Sequence, residues 1–237
     1  MDLLFWKNKA PAASFSNTTK QYFGQFLWRM VIKAEAGRLA IEDGDVSALL
    51  EKRKERAKYH EHHNWGWRSR DKQLDQVDVC HLQVLRDIKE NYRGNARVRI
   101  EEPYAQIYTQ DEDTLKKIAD LINPVYIESI SGPRTLEEQT LLNTGCIISK
   151  VPVSYRYKVV FRDKSMSLPR KAQILNYLQS LEDAIKITKG SIDMLSKPYT
   201  SMWGVYFYTN DPGLVLFLQL IDPTLISNIH EVVYIPQ

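Results

Sequence analysis

The chain has 237 residues, of which 43% are hydrophobic and 26% are charged, and its formal net charge is +3. These proportions lie near the averages of globular proteins, so they exclude a wholly disordered chain, and the length suffices to bury a core without disulfide staples. The basic excess is too small to require a nucleic-acid partner, but it does not exclude one.

Two cysteines, Cys80 and Cys146, lie far apart and in no paired motif. This spacing argues against a disulfide framework and favours a reducing compartment. The most apolar stretch, residues 22–41, carries two arginines, a lysine and a glutamate, which a bilayer would not comfortably accept. We therefore expect a soluble, cytoplasmic protein that does not enter a membrane.

The first 16 residues predict a loose arm with an apolar patch, followed by two lysines. The patch is too short for a signal sequence and has no basic segment before it. An exposed apolar arm docks either on its own protein or on another subunit. The candidate partner-binding residues are Leu3, Leu4, Phe5 and Trp6. On the second interpretation, deleting the arm would change assembly more than thermal stability.

Three helices are predicted in the N-terminal third. Apolar residues recur at intervals of three and four from Phe23 to Ala34, which predicts a first helix over about residues 17–43. A densely charged segment of mixed sign predicts a second, solvated helix over 45–60. A coiled-coil-like seam predicts a third over 71–92, which Gly94 ends.

Beyond residue 95 the apolar period changes to two, which is typical of half-exposed strands. The predicted strands span residues 97–101, 104–109, 125–129, 155–161, 184–188, 202–209 and 231–235, and 146–153 is a further candidate. The predicted helices span residues 112–122, 136–143, 168–181 and 212–220.

Two distant segments match each other. Tyr108 begins the sequence Tyr-Thr-Gln-Asp and Tyr208 begins Tyr-Thr-Asn-Asp, and each is followed by a helix, a proline and a strand. Chance similarity between two strand-to-helix turns is one explanation, and an internal duplication is the other. The second half has the order β-α-β-β-α-β, whereas the first lacks its opening strand or borrows residues 146–153 for it.

We therefore predict an α+β fold, with a helical N-terminal region followed by two tandem ferredoxin-like halves. Each half is a split β-α-β arrangement with an antiparallel sheet, one face of which stays free. The predicted segments are residues 1–68 for the arm and helical region, 69–131 for the first half, 132–154 for a linker and 155–237 for the second half. This fold hosts many functions, so it does not identify one.

The free face of the second sheet is the leading candidate site. Two strands that should be central neighbours alternate basic and aromatic residues on one side, and that side carries Arg156, Lys158, Arg162, Tyr206 and Tyr208. Such a surface suits single-stranded nucleic acid, because bases stack on rings while cations meet phosphates. Trp203, Gly204 and Tyr208 partly resemble the aromatic central-strand motif of RNA-recognition domains, with Val205 where that motif has an aromatic residue. The alternative interpretation is an ordinary solvated face.

Histidines and carboxylates offer weaker candidates. His60, His62 and His63, with Cys80 and His81, supply zinc-type atoms at spacings that match no familiar zinc site. Acidic clusters at 101–102 and 111–113, and Asp211, are of the kind that metal-dependent nucleases use, but acids at a helix N-terminus also favour the helix dipole. We predict no metal site, no cofactor and no catalytic residue.

The leading hypothesis is a non-enzymatic accessory protein of genome handling or expression that binds single-stranded RNA or DNA. An alternative is an assembly protein whose aromatic arm and helices contact other subunits, as a homo-oligomer or with a protein partner. A weaker alternative is a metal-dependent nuclease. The chain resembles no known family over its whole length.

Overall fold

The computed structural model describes residues 1–62, 71–198 and 201–236. The chain divides into two compact units, Met1–Gln139 (unit 1) and Thr140–Gln237 (unit 2). Each unit contains one five-stranded sheet with helices, so the protein is a mixed α+β molecule. No helix in the described part of the chain is long and apolar enough to cross a bilayer.

The described part of unit 1 contains five strands and four α-helices that lie wholly within the unit. In chain order they are α1 (Leu3–Lys9), β1 (Ser14–Asn17), β2 (Trp28–Lys33), α2 (Val46–His62), α3 (Val79–Asn91), β3 (Ala96–Glu101), β4 (Tyr104–Thr109), α4 (Glu112–Leu121) and β5 (Ile127–Gly132). The strands lie in the order β1-β5-β2-β4-β3. A further helix, α5 (Leu136–Asn143), spans the boundary between the units.

The core of unit 1 lies between one face of this sheet and two helices. Met30 and Ile32 on β2 and Ile107 on β4 are fully buried, and α3 and α4 contact the strands on which they pack. Burial of each large apolar side chain contributes about 1.5–3 kcal/mol. The other face of the sheet carries Arg29 and Arg97, from alternate positions of their strands.

Unit 2 repeats this plan. Its elements are β6 (Ile147–Ser149), β7 (Tyr157–Phe161), α6 (Leu168–Ser180), β8 (Ile185–Ile187), α7 (Lys189–Ser196), β9 (Tyr206–Thr209), α8 (Val215–Ile221) and β10 (Ile226–Tyr234). The strand order is β6-β10-β7-β9-β8. Val159, Phe207 and Leu218 belong to its buried core.

The two sheets have equivalent strand orders, which supports the predicted duplication. In each unit the second, third, fourth and fifth strands pair antiparallel in the same arrangement, and the first strand pairs parallel with the fifth. The matched sequences also fold alike. Thr109 donates its hydroxyl to the carbonyl oxygen of Asp111 at 2.8 Å, and Thr209 donates to Asp211 at 3.2 Å. Each aspartate then caps the helical turn that follows.

The predicted helix over residues 17–43 is wrong at its centre, where the chain forms β2. The apolar residues of this segment fit the spacing of a helix and also the alternation of a strand. Trp28, Met30 and Ile32 are buried while the residues between them are half-buried, which is the period of a strand. The β-branched pair Val31-Ile32 also favours the strand. The predicted helical N-terminal region, residues 1–68, therefore includes β1 and β2, two strands of the first sheet.

Two further expectations need correction. The opening strand of the first half is β2, whereas Ile147–Ser149 pairs with β10 of unit 2. The sheets are mixed, because β1 and β6 pair parallel with their neighbours. The predicted linker over 132–154 contains the helix and strand anticipated within it, α5 and β6. The unit boundary falls inside α5.

Candidate functional site

The candidate site lies on the face of the unit 2 sheet opposite its core. On β7 the side chains of Val159 and Phe161 are buried in the core, which directs Lys158 to the other face. On β9 the buried side chain is Phe207, which directs Tyr206 and Tyr208 to that same face. Lys158, Tyr206 and Tyr208 are each half-buried.

The strand register aligns four side chains across the sheet. Tyr208 lies opposite Lys158 of β7 on one side and Lys186 of β8 on the other. Lys158 in turn lies opposite His230 of β10. Directly paired residues project from the same face, so these four form one row, which we name the unit 2 row. It has the order Lys186, Tyr208, Lys158, His230.

Lys158 interacts with both tyrosines. Its ammonium nitrogen lies 3.7 Å from the ring centre of Tyr206 and 5.8 Å from that of Tyr208. The two rings are 5.6 Å apart and nearly perpendicular, at 86°. Burial, together with the neighbouring phenol of Tyr206, raises the pKa of Tyr208 above its usual value, so this phenol is neutral at physiological pH. The result is a pair of rings with a cation above them.

The two predicted arginines are placed differently. Arg156 lies just before β7, and its Nε donates to Glu231 at 2.9 Å, which raises the pKa of the arginine further. This ion pair is largely exposed, so the guanidinium can exchange its partner at little cost. Arg162 is exposed and lies one residue beyond the end of β7, where its backbone N–H donates to Leu225. The strand register therefore does not place Arg162 in the row with the tyrosines.

Two members of the row, Lys186 and His230, were missed from the sequence. Lys186 is exposed. The Nδ1 atom of His230 lies 2.9 Å from the carbonyl oxygen of Gly145, which requires the Nδ1–H tautomer of a neutral ring or the protonated ring. The alternation of each strand gives its two faces, but only the strand order and register show which side chains become neighbours.

The N-terminal apolar residues form α1, which packs against α4 of the same unit. Trp6 is completely buried, and its Nε1–H donates to Oε1 of Glu112 at 2.8 Å. Phe5 is half-buried, with the ammonium group of Lys116 at 4.9 Å from its ring centre. The assignment of Trp6 as a partner-binding residue is therefore wrong, because it is a core residue of unit 1. Leu3 and Leu4 remain exposed, at 42% and 74%.

Of the four histidines in the predicted cluster, only His81 has a side chain that the structure describes. The side chains of His60, His62 and His63 lie outside the part of the chain that the structure describes. His81 is buried, stacks on Tyr126 at 4.1 Å between ring centres, and its Nε2 lies 2.9 Å from the carbonyl oxygen of Lys33. Burial lowers the pKa of His81, so the neutral ring donates this hydrogen bond.

Two of the carboxylates at 111–113 make structural contacts. Asp111 accepts hydrogen bonds from the backbone N–H and the hydroxyl of Thr114, at 2.7 and 2.9 Å, and so caps α4. Glu112 accepts from Trp6. Among the described residues, no group of three or more histidine, cysteine, aspartate or glutamate side chains is placed to hold a metal ion.

Comparisons of this chain with models of protein families, with curated proteins and with solved structures found no match. A function for this protein is therefore inferred from the geometry of the row and from the chemistry of its side chains.

Proposed function

We propose that this protein is a non-enzymatic, cytoplasmic accessory factor of genome handling or expression that binds single-stranded RNA or DNA on the open face of the unit 2 sheet. The observation that carries the proposal is the position of Lys158, whose ammonium group lies over Tyr206 and within reach of Tyr208. Rings stack with bases of any sequence, and the cation beside them meets the phosphate backbone. Arg156, which lies just before the same strand, extends the charged surface.

The strand order supports a finer proposal about the fold. The order β10-β7-β9-β8 is that of the four strands in a split β-α-β-β-α-β sheet, with the additional helix α7 between β8 and β9, and the corresponding strands of unit 1 have the same order. We propose that both units are ferredoxin-like, each with one added parallel edge strand. In such a sheet the helices cover one face, and the other face is left for a ligand.

The proposal is tested by titrating the whole protein with fluorescent single-stranded RNA, single-stranded DNA and duplex DNA at several salt concentrations. Replacing Tyr206 or Tyr208 by alanine should weaken single-strand binding by about 1–3 kcal/mol, whereas replacement by phenylalanine should retain it, because the ring does the stacking. Lys158→Ala should weaken binding to all sequences and lower the salt dependence by about one unit of slope.

A matched control is Arg170→Ala, which removes an exposed cation from α6, on the core side of the same sheet. It should leave binding unchanged. If the wild-type protein fails to bind either single strand at low salt, where the electrostatic attraction is strongest, the proposed function is wrong.

A second candidate, assembly with another copy of this chain, is favoured by a difference between equivalent helices. In unit 1, α1 packs on α4. In unit 2, the equivalent helix α8 has no charged residue and exposes Leu216 and Leu220, at 68% and 82%. Two such faces would pair without like-charge repulsion. Light scattering should then show a dimer that Leu220→Asp dissociates, and a monomeric wild-type protein would exclude this candidate.

A further inference from the structure

The unit 2 row has a counterpart in unit 1 at the same positions of the sheet. Tyr108 of β4 lies opposite Arg29 of β2 on one side and Arg97 of β3 on the other. The strands correspond one to one with β9, β7 and β8. A tyrosine between two cations is thus present in both sheets, with arginines in unit 1 and lysines in unit 2.

The unit 1 row is already filled by rings from the same chain. Residues 22–26, which we name the aromatic turn, fold back over it, closed by a hydrogen bond from the N–H of Tyr22 to the carbonyl oxygen of Phe26 at 2.8 Å. The ring centres of Tyr22 and Phe23 lie 5.2 and 4.9 Å from that of Tyr108. Beneath this cover Tyr108 is 3% exposed.

The cations of the unit 1 row hold these rings in place. The guanidinium carbon of Arg97 lies 3.8 Å from the ring centre of Phe23, and that of Arg29 lies 5.2 Å from the ring centre of Tyr22. Phe23 has a φ of +54°, a conformation that is costly for a residue with a bulky side chain. The contacts of its ring are what offset that cost. In unit 1, a tyrosine between two cations therefore holds one ring edge to face, at 87°, and a second ring tilted, at 54°, with a guanidinium over each.

The unit 2 row has the same chemistry, and no turn in the described part of the chain folds over it as the aromatic turn does in unit 1. Among the described residues, Tyr206 is the one aromatic ring in contact with Tyr208. The connection between β6 and β7 contains one aromatic residue, Tyr155, whose hydroxyl reaches the carbonyl oxygens of Asp183 and Ile185 at 3.4 and 3.5 Å. Lys186 is exposed, and its side chain makes no hydrogen bond or ion pair with any residue that the structure describes.

We infer that Lys186 positions a base against Tyr208 in this protein. The base meets Tyr208 edge to face, as Phe23 meets Tyr108, and Lys186 covers the face of the base as Arg97 covers Phe23. On the other side, Lys158 lies over Tyr206 as Arg29 lies over Tyr22. This inference depends on the proposed function, which it refines by naming a base subsite and a residue that contacts the base rather than the phosphate.

The experiment compares two probes on the whole protein at low salt: a short fluorescent oligothymidylate and the same backbone with abasic sites. If Lys186 covers the base, Lys186→Ala should weaken binding of the oligothymidylate by about three- to tenfold and change abasic binding by less than about twofold. Lys186→Arg should restore binding, since a guanidinium also stacks on a ring. Arg170→Ala again serves as the control.

The outcomes separate this inference from the proposed function. Equal losses on both probes, with a shallower salt dependence, would show that Lys186 contacts phosphate, and no loss on either probe would show that it contacts nothing. Both results overturn the inference and leave single-strand binding intact. A wild-type protein that binds neither probe would overturn the proposed function itself.

Discussion

At Gly132, the last residue of β5, a neighbouring side chain leaves room for glycine and for no larger residue. A Cβ atom at this position would lie 2.1 Å from two ring carbons of Trp28, which is buried on β2. Real atoms do not approach so closely, so any side chain here displaces the indole or the strand. The position requires glycine for reasons of space rather than of backbone conformation.

We predict that Gly132→Ala lowers the free energy of unfolding by about 1–3 kcal/mol or more, the usual cost of overpacking a core. Gly190 in α7 is the matched control, because a Cβ atom there would meet no other described part of the chain within 4 Å. Gly190→Ala should stabilise the protein by up to about 1 kcal/mol through helix propensity. Urea denaturation of both variants measures the difference, and equal effects would show that the indole of Trp28 is not what requires glycine.

At the scale of elements, the strand face of the candidate site was predictable and its full membership was not. Alternation along residues 155–161 and 202–209 is enough to place Lys158 with the tyrosines once the two strands are taken as neighbours. To place Lys186 in the unit 2 row, one must know the order of the strands. To leave Arg162 out of the row, one must know where β7 ends. The strand order and the end of β7 both depend on pairing between segments that are distant in the sequence, and local periodicity does not show that pairing.

The element that sequence analysis placed in the wrong class is β2. Its residues satisfy a helical spacing as well as a strand alternation, and short apolar runs are ambiguous between the two. Tertiary pairing decides the matter, because β2 lies between β4 and β5 at the centre of the sheet. The edge strand β1 was missed because its sequence, Ser-Phe-Ser-Asn, has a single apolar residue.

Helix α1 yields a prediction opposite to that of the interpretation in which the N-terminal arm docks on another subunit. Trp6 is fully buried and donates to Glu112, so Trp6→Ala should lower the free energy of unfolding by about 3–5 kcal/mol. Leu4→Ala, on the exposed side of the same helix, should change it by less than about 0.5 kcal/mol. Thermal and urea unfolding provide the measurement. If the two variants unfold alike, α1 is not part of the core of unit 1.

At the scale of the whole molecule, the protein consists of two copies of one plan with different additions. In unit 1, α1 packs on α4, and the aromatic turn lies on the open face of the sheet. In unit 2, the corresponding helix and row are more exposed. In unit 1, the two additions cover α4 and the open sheet face. The equivalent surfaces of unit 2 are α8, proposed for self-association, and the open sheet face, proposed for nucleic acid.

Because unit 2 has a core of its own, we predict that residues 134–237, which include the whole of α5, fold in isolation. The fragment should unfold cooperatively in urea and bind single-stranded nucleic acid with an affinity close to that of the full chain. Circular dichroism and anisotropy titration measure the two properties. A folded fragment that has lost binding would mean that unit 1 contributes to the site.

The parallel pairing of first and last strands has a consequence for synthesis on the ribosome. β1 finds its partner only when β5 has been made, and at about 5–20 residues per second this delay is on the order of ten seconds. In unit 2 the last strand, β10, pairs with both β6 and β7. A chain that stops before residue 226 therefore leaves two strand edges without their common partner, and such edges promote aggregation. Neither edge is protected until residues 226–234 have been made, so a chain cut just before residue 226 is far more prone to aggregate than one cut just after residue 234.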